Sequence, residues 1–198
     1  MTNPKRSDGF SLFEIVVVVG LIGIISAISV PMFGNAIAGF RVSGDARSIS
    51  NAAAVAKMRA ASEFSRVRLY VDLVGKTHKM QTWSKAAVDC CWVTQGGTTA
   101  LSSGVTFGFS AVTTAPPNTQ TTIGQASQCT ADDGTLIANT ACIMFNSRGV
   151  PVDSTFAPAG DALYVTDGAM VYGVTVAATG MLRLWRTLPV ATPQWVVN

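Results

Sequence analysis

The chain has 198 residues, of which 48% are hydrophobic and only 13% charged, with a formal net charge of +3. A soluble domain is typically about 25% charged, so this composition excludes intrinsic disorder and sits badly with a purely water-soluble globule. It also excludes a polytopic membrane protein, because one stretch alone reaches the roughly 18–20 apolar residues that a membrane crossing needs.

That stretch comes first. No charge falls between Glu14 and Arg41, and residues 15–33 read IVVVVGLIGIISAISVPMF. At ~1.5 Å per residue such a helix spans roughly 28 Å, about one bilayer core. Glu14 stands at its start. A carboxylate beside a membrane span costs up to roughly 3 kcal/mol and is a functional candidate; an acid in the headgroup region is the alternative. Pro31 removes one backbone donor and is expected to kink the helix. Beyond it, Val42, Ala46, Ile49, Ala53, Ala56 and Ala60 recur three and four residues apart. At ~100° per residue they share one face, predicting an amphipathic continuation that ends near Phe64. Its contact face is mostly alanine, which permits close approach to a sheet. Its basic residues read as a solvated face, the alternative being contact with anionic lipid, a partner or nucleic acid.

From Arg66 the pattern becomes β. Residues 66–73 predict a strand, residues 74–76 a turn, and residues 77–83 the returning strand. Residues 94–127 are rich in Thr, Gly, Ser and Ala, with Pro116-Pro117 at the centre. They read as an irregular surface excursion around one strand marked by Val105, Phe107 and Phe109. Residues 142–145 predict a short strand followed by Asn146-Ser147-Arg148-Gly149. Residues 162–165, 170–177 and 181–186 complete the set, with Ala178-Thr179-Gly180 as a hairpin turn. One long helix followed only by strands predicts an α+β fold, the helix packed on an antiparallel sheet.

Charge and cysteine bear on the compartment. Residues 41–85 hold nine basic and three acidic groups, and residues 86–198 three basic and six acidic, so the basicity is local. Lys5 and Arg6 favour a cytoplasmic N-terminus, while the basic residues after the span pull the other way. Cys90, Cys91, Cys129 and Cys142 fit no zinc spacing, and there is one histidine. They read as disulfide candidates in an oxidising compartment, which places the C-terminal domain outside the cytoplasm. A bond between the adjacent Cys90 and Cys91 is the strained choice. At least one bridge is therefore expected to join that pair to Cys129 or Cys142; a lone Cys129–Cys142 bridge across a hairpin is the alternative.

Motifs for catalysis are sparse. His78 lies in the 77–83 strand without a Ser or Asp motif and reads as a histidine on a polar strand face. Asp132-Asp133 is a doubled carboxylate that lacks the calcium-loop spacing and reads as a solvated loop. No P-loop, dinucleotide fingerprint or zinc-protease motif is present, so no metal and no cofactor is expected. A membrane-anchored periplasmic enzyme stands as an alternative from another class.

The N-terminus carries a sharper signal. Gly9-Phe10-Ser11-Leu12-Phe13-Glu14, followed by the apolar helix, resembles the class III signal of type IV prepilins and type II secretion pseudopilins. The resemblance implies cleavage between Gly9 and Phe10 by prepilin peptidase, N-methylation of Phe10, and an assembly role for Glu14. It also implies a leader of residues 1–9, a helix of residues 10–64 whose transmembrane half is 10–38, and a periplasmic β-rich domain of residues 65–198. The site before the glutamate, often Leu or Ile, is Phe13 here. The 66–83 hairpin, the IMFNSRGVP segment and the TGMLRLWR strand look like GspH/FimT-type minor pseudopilins. That likeness implies a single-pass inner-membrane subunit of a type II secretion pseudopilus or type IV pilus, with other pilins, the peptidase and the inner membrane as partners. Some FimT-like pilins bind DNA through a basic C-terminal motif. Its counterpart, Gly180-Met181-Leu182-Arg183 with Arg186 beyond, has Met181 in place of the first arginine. Arg183 and Arg186 on phosphates and Trp185 on a base would be the contacts, so nucleic acid is kept as an alternative partner.

Overall fold

The computed structural model describes residues 11–84, 86 and 91–198, and backbone alone for residues 30–33 and 35. Among the described residues there is one helix, α1 (Leu12–Ser62), followed by ten strands. The chain divides into two compact units, residues 1–38 and 39–198.

The first unit holds the apolar part of α1. Its window Leu12–Ser29 is long and apolar enough to cross a membrane, and none of it is buried. Helical backbone continues through Pro31.

In the second unit the periodic face of α1 becomes its spine. Val42, Ala46, Ile49, Ala53, Ala56 and Ala60 are all fully buried. They form one core with side chains from two five-stranded antiparallel sheets, rather than the single sheet expected. The first sheet runs β3 (Trp92–Ala100), β2 (Thr77–Trp83), β1 (Val67–Asp72), β5 (Thr140–Phe145), β6 (Pro151–Val152). The second runs β10 (Val196–Val197), β9 (Leu182–Thr187), β8 (Val171–Val176), β7 (Asp161–Thr166), β4 (Thr106–Phe107). Alternation fixes which side faces the core. Val67, Leu69 and Val71 face it from β1, and Ala141, Ile143 and Phe145 from β5.

Three strand readings need correction. Residues 92–100 form β3, a long strand where loop composition pointed to irregular chain. Its register against β2 jumps between His78↔Thr99 and Met80↔Gln95, a bulge that takes in Gly96 at φ 76°. Glycine supplies that conformation without a side-chain clash. Second, the 105–109 alternation yields only β4, because turns closed by Val105 N to Ser102 O and Val112 N to Phe109 O cut it on both sides. Third, the excursion beyond it is no loose surface loop. It covers the outer face of the second sheet, packing Phe109, Val112 and Ile123 with Ala162, Tyr164, Val171 and Trp195. The Gln125 side chain pairs with the Tyr164 backbone in both directions, and the Tyr164 hydroxyl donates to Gln120 Oε1 at 2.9 Å.

Two turns, one from each sheet, rest on the same residue of α1. Gly149 (φ 73°) and Gly180 (φ 82°) both lie against Lys57, whose ammonium donates to the Gly180 carbonyl at 2.8 Å.

Candidate functional site

Gly9 and Phe10 lie outside the described residues, as do Lys85 and the segment 87–90, which includes Cys90. The described site therefore begins at Ser11. Its hydroxyl accepts from the Glu14 backbone N–H at 3.2 Å, and its carbonyl accepts from Ile15 N–H at 3.2 Å. Ser11 is thus the N-cap of α1, and Glu14 stands three residues on, the Ser-x-x-Glu capping spacing. A carboxylate there meets the positive end of the helix dipole, worth about 0.3–1 kcal/mol at an exposed site. Glu14 is exposed, and around it Leu12, Phe13, Val16 and Ile22 show more than half of their surface. Pro31 keeps helical backbone, and its side chain is not described.

The disulfide expectation is overturned in its preferred form. Cys129 is bonded to Cys142 with Cα atoms 5.0 Å apart, so neither is left for the earlier pair. The local chain explains the choice. Cys142 N donates to Ser127 O, and Cys129 N donates to the Thr140 hydroxyl at 3.0 Å, so the segment before β5 folds back on it before any sulfur is considered. Cys91 is disulfide-bonded as well.

The nucleic-acid contacts do not assemble into one surface. Trp185 is 5% exposed, and its indole N–H is spent on the Thr175 hydroxyl at 2.9 Å, which removes it as a stacking platform. Arg183 and Arg186 are exposed but three residues apart on one strand, hence on opposite faces. Arg183 instead lies near the Trp185 ring, 5.9 Å from its centroid.

His78 also departs from expectation. It is 4% exposed and turned to the core side of β2, not to a polar face. Burial lowers its pKa and the nearby Asp45 raises it by a smaller amount. Among the described residues its Nδ1 has no hydrogen-bond partner. Asp45 is itself held by the Ser102 N–H and hydroxyl at 2.8 and 3.0 Å. Asp132 and Asp133 are exposed, the first accepting from Trp92 N–H and the second from Thr135. Among the described residues no group of three His, Cys, Asp or Glu could hold a metal.

One constellation escaped the sequence reading. Arg66, Trp83, Trp92, Arg68 and Tyr70 touch in that order, a run of cations and rings on the outer face of the first sheet. The signal was the Arg-x-Arg-x-Tyr alternation opposite a strand ending in Trp. Arg68 is buried there, with its guanidinium bonded to Gln81 Oε1 at 2.9 Å and Thr130 O at 2.6 Å. Burial lowers it to about 10, with Asp132 and then Tyr70 opposing, so it stays charged at neutral pH.

No protein-family model matches the sequence, and no protein of described function matches it in sequence. The fold is similar to that of several solved structures, three of which follow. Two are of the minor pseudopilin EpsH from the type 2 secretion system of Vibrio cholerae. One is 13% identical with a TM-score of 0.47, over 73% of this chain and 95% of that one. The other is 14% identical with a TM-score of 0.45, over 78% and 95%. The third is the type IV minor pilin FimU of Pseudomonas aeruginosa, 10% identical with a TM-score of 0.42, over 72% and 87%. Function is therefore argued from the chain's own residues.

Proposed function

We propose that this chain is a pilin-like structural subunit, a minor pilin or pseudopilin of a type II secretion pseudopilus or type IV pilus. One observation carries the reading. An unburied apolar helix begins with a single carboxylate, Glu14, and continues in sequence into the spine of a β domain. An enzyme anchor needs no acid there, and a cleaved secretory signal would not be continuous with a core helix.

The mechanism follows from charge in an apolar setting. Cleavage between Gly9 and Phe10 by prepilin peptidase leaves a cationic amine, N-methylated, one helical turn from Glu14. Helix dipole and capping compensate only part of the cost of carrying a carboxylate into lipid or a helix bundle. The amine of a neighbouring subunit supplies the rest, because opposite charges attract most strongly where water is excluded. Pairing between subunits sets their stagger, while the apolar flanks hold the helix first in the inner membrane and then in the filament. The β domain lies on the periplasmic side, where its disulfide is stable. The subunit works by assembly and uses no cofactor.

Mass spectrometry of the membrane-extracted protein tests the premise. The expected chain starts at methylated Phe10; any other first residue overturns the reading. Glu14→Ala is expected to be cleaved and anchored as before but to be lost from sheared filaments, and normal incorporation of that variant would refute the pairing.

A further inference from the structure

On the outer face of the first sheet a cleft of about 170 Å³ opens between the loop at residues 130–134 and the loop at residues 154–156. Arg66 forms its floor. The guanidinium lies over the Trp83 ring, 4.0 Å from its centroid, and over the Phe156 ring, 4.9 Å from its centroid. Trp83 in turn meets Trp92 edge-to-face at 5.2 Å. Arg68 next door has its Nε and one Nη bonded to Gln81 and Thr130, whereas among the described residues the Arg66 guanidinium makes ring contacts and no hydrogen bond. Two rings lie against the guanidinium, and the N–H groups of a guanidinium are directed outward in its own plane, away from rings that meet its face.

Phe156 is held there against two preferences. It is 55% exposed and adopts φ 64°, the left-handed region that a bulky residue avoids. Asp153 enforces the conformation, its Oδ1 accepting from Thr155 N–H, the Thr155 hydroxyl and Ala157 N–H. Strain of this kind, of order 1–3 kcal/mol, persists where the surroundings over-determine it and gathers at ligand clamps.

We propose that this cleft is a docking site for a protein segment that presents one carboxylate between basic residues. A carboxylate matches the planar edge of Arg66 in a two-point contact. The rim decides what surrounds it. Asp132 lines the cleft and Asp133 is exposed beside it, while the half-buried Asp153 directly precedes the other rim loop. Hydrogen bonds from Thr135 and Thr155 hold the latter two below the usual carboxylate range, so they are charged at neutral pH. A nucleic-acid backbone would bring a row of phosphates against this acidic rim, within a Debye length of about 8–10 Å. A peptide with a single acid and flanking lysines satisfies floor and rim together. The site is independent of Glu14 and of filament assembly, so either proposal can fail alone.

The test uses the full chain in non-ionic detergent at low salt, reading tryptophan fluorescence, since Trp83 and Trp92 border the site. The probes are an acetylated, amidated Lys-Glu-Lys peptide, its Lys-Gln-Lys counterpart and a single-stranded oligothymidylate. The expected result is saturable binding of the glutamate peptide at least about tenfold tighter than the glutamine peptide, the difference of one charge-assisted pair. Arg66→Lys keeps the charge and loses the fork, and should erase most of that preference. Equal binding of the two peptides, absence of binding, or tighter binding of the oligothymidylate would overturn the proposal. An unchanged preference in Arg66→Lys would do the same. If that variant does not fold, the peptide comparison on the unaltered chain decides.

Discussion

Asp161 is the residue whose charge works against the fold. Burial raises its carboxyl to about 6, outweighing hydrogen bonds from Ala162 and Ser127 N–H. The folded state thus holds a proton between about pH 4 and 6 that the unfolded state releases, so stability falls as pH rises through that window and is flat above it. Asp161→Asn keeps an acceptor for Ala162 N–H and removes the charge. The variant should be more stable by on the order of 1–3 kcal/mol at pH 7 and indistinguishable near pH 3, as thermal melts at the two pH values would show. Gly173 makes the opposite demand. A Cβ there would come within 2.7 Å of Tyr164 Cε1, and the fully buried ring, tethered by its hydroxyl to Gln120, has nowhere to move. Gly173→Ala should cost about 1–3 kcal/mol by overpacking, read as a lowered urea midpoint at unchanged slope.

At the scale of elements, the alanine face of α1 sets how near helix and sheets can lie. Ala53→Leu adds volume where the native side chain is fully buried, and should destabilise by about 1–3 kcal/mol. The exposed Met58→Leu is the control that should not. Periodicity made this face legible in the sequence, because six residues spaced three and four apart leave no other shared direction. The hairpin of β1 and β2 was legible for the same reason at period two. β3 was not. Its Thr-Gln-Gly-Gly-Thr-Thr run carries no hydrophobic alternation, and it is a strand because β2 offers it an edge, not because its own side chains need burial. The lid over the second sheet was hidden likewise, since its hold on Tyr164 comes from Gln120 and Gln125, residues that composition alone assigns to solvent. At the candidate sites, Glu14 stood out because a charge beside an apolar run is conspicuous. The Arg66 stack did not, because ring and cation meet only once strands are paired.

The whole second unit is held by one helix face shared between two sheets. The sheets have no strand in common, and Lys57 is where a turn of each comes to rest. The Cys129–Cys142 bridge adds a local constraint. Its sequence separation of 13 predicts a contribution of about 3 kcal/mol in the chain-entropy account. Cys129→Ser should therefore lower the melting temperature of the extracted protein, while the apolar window, being remote in sequence, is unaffected. The short span also has a consequence for timing. The second sheet must wait for β9 and β10, and the first for β6, whereas the two thiols need only a dozen residues and one folded-back segment to meet. The bridge can close while the rest of the domain is still emerging, so a newly made chain carries a covalent fixed point before either sheet is complete.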